Sequence, residues 1–264
     1  MLLLAQGASV WPCGAASYHR GVTGQRLAVQ VESQLRAVGD PERAEHEKRY
    51  LKSDLEHAGA SVPAIRKIAK AALADHATLD HDGLVGLVNA LWARPLHECR
   101  MAAVDLLELR SDALRPTDMK LVGRLIRESR TWALVDGLAA SVAGVLVERY
   151  PELSKTLDRW SSDEDFWVRR SALLALLVPL RRGEGDFARF GRYADAMLEE
   201  REFFIRKAIG WVLRDTARKR PDLVYGWLKP RASRASSVTV REAVKYLADE
   251  QREGIVAARS AGSQ

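Results

Sequence analysis

Apolar residues along this chain recur at intervals of three and four, as in Leu84…Leu87…Leu91 and Leu134…Leu138…Val142. That spacing lines one face of an α-helix. Prolines and polar clusters separate helix-length blocks at Pro63, Pro95, Pro116, Pro151, Pro179 and Pro221. Pro63, Pro95 and Pro221 sit where a helix would begin, the position that tolerates a missing N–H. A first block runs from about Gln25 to Val38 and stops at Gly39-Asp40-Pro41, a turn signal. The stretch from Gly183 to Phe190 is expected to be a loop leading to a weaker helix near Tyr193–Glu199, and Lys229–Ser237 a second, basic loop. No alternating run rich in β-branched residues survives beyond four or five positions, so the fold is expected to be all-α.

The helical blocks repeat. Segments beginning at Arg66, Arg100, Arg170, Arg206 and Arg241 share a leading arginine, a small or apolar residue two on, and an apolar pair near the end. A sixth slot keeps the apolar spacing but begins with Asp136. Starts at 66, 100, 136, 170, 206 and 241 give a period of 34 to 36 residues, the signature of a helical solenoid of stacked antiparallel helix pairs. Leading arginines of this kind commonly pack in a polar ladder beside a loop carboxylate, and that structural reading is the default for Arg66, Arg100, Arg206 and Arg241. A lone carboxylate in an arginine slot invites a functional one.

Length and composition fit a single solenoid domain. The expected layout is a disordered extension over 1–22, one HEAT-like repeat domain over 23–253, and a disordered tail over 254–264. Met1-Leu-Leu-Leu4 is too short for a signal core and lacks a basic start, and a start codon placed too early, with the true start near Val22, would account for the extension. No run is long enough to span a membrane. Two distant cysteines, Cys13 and Cys99, form no disulfide framework, which suits a reducing cytoplasm. Six scattered histidines include no HExxH pattern and no cysteine partner, so neither a metal nor another cofactor is expected. The net charge of +6 is unevenly placed. Residues 201–245 hold twelve Lys/Arg against four Asp/Glu, a net of +8. Such a stretch is either a solvated face or a contact for a polyanion, nucleic acid being the commonest.

Trp92, Trp160 and Trp227 fall at apolar positions and read as core. Trp132 and Asp136 are four apart, one above the other on a helix face. Trp211 is flanked by Arg206, Lys207 and Arg214, an interleaving of ring and cation that suits a nucleic-acid surface.

From Pro41 to about Leu247 the chain resembles the bacterial DNA alkylation repair glycosylases of the AlkD type, built from HEAT-like repeats. The resemblance is carried by Lys48-Arg-Tyr-Leu-Lys52, Thr131-Trp-Ala-Leu-Val-Asp-Gly137, Tyr150-Pro-Glu-Leu153, Asp165-Phe-Trp-Val-Arg-Arg170 and, most specifically, Glu202-Phe-Phe-Ile-Arg-Lys-Ala-Ile-Gly-Trp-Val-Leu-Arg214. It implies a concave face that holds DNA, with Trp132, Asp136, Arg170 and Trp211 meeting the lesion-bearing nucleotide and Tyr50 beside them. Asp136, Trp132 and Trp211 are then the catalytic candidates. Arg170, Tyr50, Arg206, Lys207 and Arg214 are the candidates for binding DNA, with Arg170 on the phosphate. Arg169 and Arg170 compete for that place, and the spacing to Ser171-Ala172-Leu173 favours Arg170.

The implied activity is hydrolysis of the N-glycosidic bond of cationic N3- or N7-alkylated purines in double-stranded DNA, without base flipping, by a monomer in the cytoplasm associated with the nucleoid. The alternative is a non-catalytic HEAT-repeat scaffold that binds DNA or protein. Asp136 is the discriminating feature.

Overall fold

The computed structural model describes residues 14–261, with side chains from residue 24 onward. Of the expected extension, residues 1–13 lie outside the described residues, and 14–22 begin the first helix. Every extended element of the described chain is helical, and the sole exception is a parallel β-bridge between Glu56 and Leu96.

The chain divides into two compact units, one ending at Leu106 and the other beginning at Leu107. The first holds α1 (Gly14–Ala37), α2 (Pro41–Leu51), α3 (Val62–Ala74), α4 (His81–Trp92) and most of α5 (His97–Leu109), inside which the division falls. Here α1 packs on α3 and α4. Asp40, Ser61 and Asp80 cap α2, α3 and α4, each accepting a backbone N–H three residues on. Such caps satisfy donors the first helical turn leaves without partners.

The second unit continues with α6 (Met119–Ser129), α7 (Trp132–Gly137), a π-helical turn (Leu138–Ala143) and α8 (Gly144–Arg149). Then come α9 (Ser154–Trp160), α10 (Phe166–Leu174), α11 (Leu177–Arg181) and α12 (Phe187–Ala196). The unit ends with α13 (Phe203–Ala217), α14 (Pro221–Leu228), α15 (Ser237–Ala243) and α16 (Asp249–Ala261). Its core is aliphatic, with Leu125, Leu134, Val168, Leu173, Ile209 and Leu213 fully enclosed. Close approach of neighbouring helices depends on small residues. A Cβ on Gly210 of α13 would stand 2.8 Å from the Cβ of Glu242 in α15.

The repeat has a visible physical form in this unit. Polar contacts join side chains one period apart: Arg127 to Asp163 over 36 residues, Asp136 to Arg170 over 34, Arg181 to Asp215 over 34, Lys207 to Glu242 over 35, and Arg231 to Asp195 over 36. Exposed members of such a ladder contribute little individually, yet together they fix the register of successive helix pairs.

Three expectations shift. Pro179 lies within α11 rather than at a boundary. The weaker helix expected at 193–199 forms earlier, as α12, because Asp186 caps it through the Arg189 N–H. Of the disordered tail expected over 254–264, residues 262–264 lie outside the described residues, and the rest continues as α16 to Ala261, with Ile255 fully buried. That isoleucine is the anchor the sequence pattern hid among small and polar neighbours.

Candidate functional site

α6 ends at Arg130 in a left-handed conformation (φ 49°), Thr131 is extended, and α7 starts at Trp132. Trp132 and Asp136 therefore share one face of a short helix, one turn apart. Directly after them the backbone widens into the π-helical turn from Leu138 to Ala143. Such turns place side chains out of step with a regular helix and are frequent at functional sites.

Asp136 meets Arg170 in a two-bond fork. Nε of Arg170 donates to Oδ1 and Nη2 to Oδ2, each at 2.8 Å. The remaining arm, Nη1, donates to the Phe204 carbonyl of α13 at 2.5 Å. One guanidinium thus ties α7, α10 and α13 together. The Arg170 side chain is 5% exposed and Asp136 17%. Aromatic rings form the cover: Phe204 lies 5.9 Å from the guanidinium carbon, with Phe166 and Trp167 packed against it. A fork of this kind orients a carboxylate firmly, because two parallel charge-assisted bonds fix both its position and its plane.

Arg170 was expected on a phosphate, and in the structure it faces inward, with Nε and both terminal nitrogens bonded within the protein. It positions Asp136. Its neighbour Arg169 turns away, to Glu200 and to the carbonyls of Asp163 and Glu164. The two adjacent arginines therefore serve different carboxylates.

Trp211 stands on α13 seven residues beyond Phe204, almost in line with it about 10 Å along the axis by helix geometry. Its indole Nε1 donates to Asp215 Oδ2 at 3.2 Å. Asp215 also accepts from Arg181 (2.8 Å) and Arg214 (3.1 Å), and its side chain is 6% exposed. Trp132 and Trp211 are both half-buried and Trp92 and Trp160 are core, while Trp227, expected in the core, is half-buried too. Sequence reasoning missed Asp215 and Arg181. The signal was present, since Trp211 and Asp215 repeat the four-residue spacing of Trp132 and Asp136.

The other expected DNA contacts are distributed unevenly. Arg214 and Lys207 both reach Glu242, whose carboxyl also accepts from Lys245. Lys245, then Lys207, pull the Glu242 carboxyl down to about 2. Lys207 keeps 43% of its side chain exposed and Arg214 25%. Arg206 donates to the Glu200 carbonyl at 2.6 Å. Much of the basic excess of residues 201–245 is thereby matched by acids, including Asp195 and Glu199, which take Arg231 and Arg234. Tyr50 belongs to the first unit, at the end of α2; the residue is 67% exposed and its ring stacks on His46.

The sequence model of the DNA alkylation repair enzyme family matches residues 31–247. The chain belongs to this family. Its fold is similar to a predicted DNA alkylation repair enzyme from Enterococcus faecalis, with a TM-score of 0.70, 25% identity, and 80% of this chain and 97% of that one covered. It is also similar to AlkD2 from Streptococcus mutans (TM-score 0.56, 20% identity, 77% and 99% covered). A third similar structure is smu.31 from Streptococcus mutans UA159 (0.55, 21%, 71% and 98%). Among curated proteins, none matches the chain. The described elements of this chain are helices, and no described helix is long and apolar enough to cross a membrane.

Proposed function

We propose that the chain is a DNA glycosylase acting on cationic N3- or N7-alkylated purines in duplex DNA, with Asp136 as the catalytic carboxylate. The observation that carries this reading is a partly open carboxylate held rigidly by a buried arginine fork, one turn from a half-buried indole.

Alkylation at N3 or N7 leaves the purine positively charged, so the base departs without prior protonation. As the C1′–N bond breaks, its electron pair goes to the purine and positive charge gathers on the deoxyribose. Asp136, fixed before the reaction begins, stabilises that charge without reorganising. Water then adds to C1′ and gives up a proton, leaving an abasic sugar and a neutral alkylpurine. This is the electrostatic role of a glycosidase carboxylate without an acid partner, because the leaving group needs none. Arg170 acts through Asp136, setting its plane. Trp132 and Trp211 flank the sugar and limit bulk water, with Asp215 orienting Trp211 through its indole N–H. Lys207 and Arg214 contribute positive charge toward the DNA backbone, tempered by Glu242.

Recognition through backbone and sugar, with the lesion still stacked, would tolerate bulky adducts as well as methyl groups. The test is release of free alkylpurine from methylated duplex DNA by the purified protein, followed chromatographically. A protein that binds the duplex but releases no base would be the DNA-binding scaffold instead.

A further inference from the structure

The first unit gathers a second set of titratable side chains far from Asp136 in sequence. Glu47 on α2, His57 in the loop between α2 and α3, and Glu98 on α5 each bring one donor atom to a common point, all within 4.8 Å of one another. The backbone dictates this meeting. Gly59 has φ +79° and lies so close to α2 that a Cβ would meet the Asp40 carbonyl, so only glycine lets the loop lie down there. Glu56 pairs with the start of α5 through the Pro95 carbonyl and the His97 N–H. Glu98, fully buried, then accepts the Ala58 and Gly59 N–H groups.

What this leaves is unusual. Both ring nitrogens of His57 are buried and make no hydrogen bond, although two carboxylates stand within reach of the ring. Buried imidazole nitrogens without partners forfeit the hydrogen bonds that water would give them. The ring also stacks on His97, whose own Nδ1 is buried and unpartnered. Arg43 donates to Glu47 Oε1 at 2.7 Å and Glu98 takes the two loop N–H groups, yet nothing among the described residues bonds to the His57 ring; a cation at the common point would give that ring a partner and bind both carboxylates. A central zinc with bonds of about 2.0–2.2 Å sets neighbouring donors roughly 3.4 Å apart, a modest contraction of the present gap.

We infer that Glu47, His57 and Glu98 form a binding site for a divalent first-row transition cation, zinc being the best fit, which pins the loop at His57 between α2 and α5. Imidazole among the donors disfavours magnesium and calcium, which prefer all-oxygen sets. Zinc here has three protein ligands, and water completes the tetrahedron. Its proposed effect is to pin this loop, separately from the reaction proposed at Asp136, although the water in the fourth position leaves the site open. Sequence reading expected no metal because the three residues follow no ligand spacing.

The test titrates zinc into the full chain after treatment with EDTA, by calorimetry and thermal unfolding. The expected result is one zinc per chain and a melting temperature raised by several degrees, with no comparable effect from magnesium. His57→Gln and Glu47→Gln leave the Glu98 backbone bonds intact, and each should weaken zinc binding at least 10- to 100-fold. No zinc binding at about 100 μM, or unchanged binding by His57→Gln, overturns the assignment. Should the variants fail to fold, X-ray absorption on the zinc-loaded parent decides instead: imidazole scattering at the metal supports the site, and its absence overturns it.

Discussion

Two tryptophan–aspartate pairs stand four residues apart on helices of the second unit, and their fates differ. Asp215, below Trp211, is enclosed, and it accepts from the indole, Arg181 and Arg214. Asp136, below Trp132, is gripped along one edge by Arg170 and stays three times as exposed, 17% against 6%. A carboxylate surrounded by donors from three side chains orients its neighbours. One anchored from behind, with an edge toward solvent, can face a developing charge. The same spacing thus supports a positioning acid in one place and a candidate catalytic one in the other. The difference lies in where the donors come from: Arg170 one period ahead for Asp136, but Arg181 one period behind and Trp211 and Arg214 on the same helix for Asp215.

The comparison breaks most severely at Arg170. Replacing Arg170 by Met leaves Asp136 partly buried without its partner, and breaking a buried pair costs roughly 3–5 kcal/mol. Urea unfolding measures this, and a variant as stable as the parent would mean the fork does not hold the three helices. Asp215→Asn comes next. It removes the charge facing two arginines but keeps the shape, so a loss of about 1–3 kcal/mol is expected. Base release should change less than about tenfold, since Trp211 is only reoriented. A loss matching that of an Asp136 variant would erase the distinction between the two acids.

Acid titration probes the cluster around Glu242. Its carboxyl is held at about 2, chiefly by Lys245 and Lys207. A depressed folded value means stability that is present above about 4.5 and lost as pH falls from there toward 2. Because both lysines are nearly half-exposed, solvent screens them and the loss should be on the order of 1–2 kcal/mol. Glu242→Gln should flatten that part of the pH–stability curve, and an unchanged curve would rule the cluster out as its source. The smallest effect belongs to Arg127, which forks onto Asp163 much as Arg170 does onto Asp136 but is half-exposed. Its hydrogen bonds hold the Asp163 carboxyl below the ordinary range. Even so, Arg127→Ala should cost only about 0.2–1 kcal/mol by urea unfolding. A loss equal to that of Arg170→Met would show that burial does not separate the two forks.

The helices and the odd slot at Asp136 could be read from the sequence, because both follow from apolar spacing and a fixed period. The partnership of Asp136 with Arg170, one period on, was implicit in that repeat. The inward turn of Arg170 was not, since it depends on the aromatic cover from Phe166, Trp167 and Phe204 and on a backbone carbonyl in α13. Likewise the acids that neutralise the basic stretch arrive partly from outside it, as Asp195 and Glu199 do. Charge counted along a segment cannot register partners brought in by folding. The gathering of Glu47, His57 and Glu98 has no linear signature at all, resting on a left-handed glycine and one β-bridge.

The central claim is that the charge of Asp136, and not its shape, accelerates base release. Single-turnover release of 7-methylpurine from methylated duplex DNA, compared between the parent and Asp136→Asn, tests it directly. Loss of a charge that acts on the transition state should slow release by two to three orders of magnitude, about 3–4 kcal/mol. Affinity for a duplex carrying a stable abasic-site analogue should be unchanged or slightly tighter. If the Asn variant released base as fast as the parent, Asp136 would be only the acid that anchors Arg170.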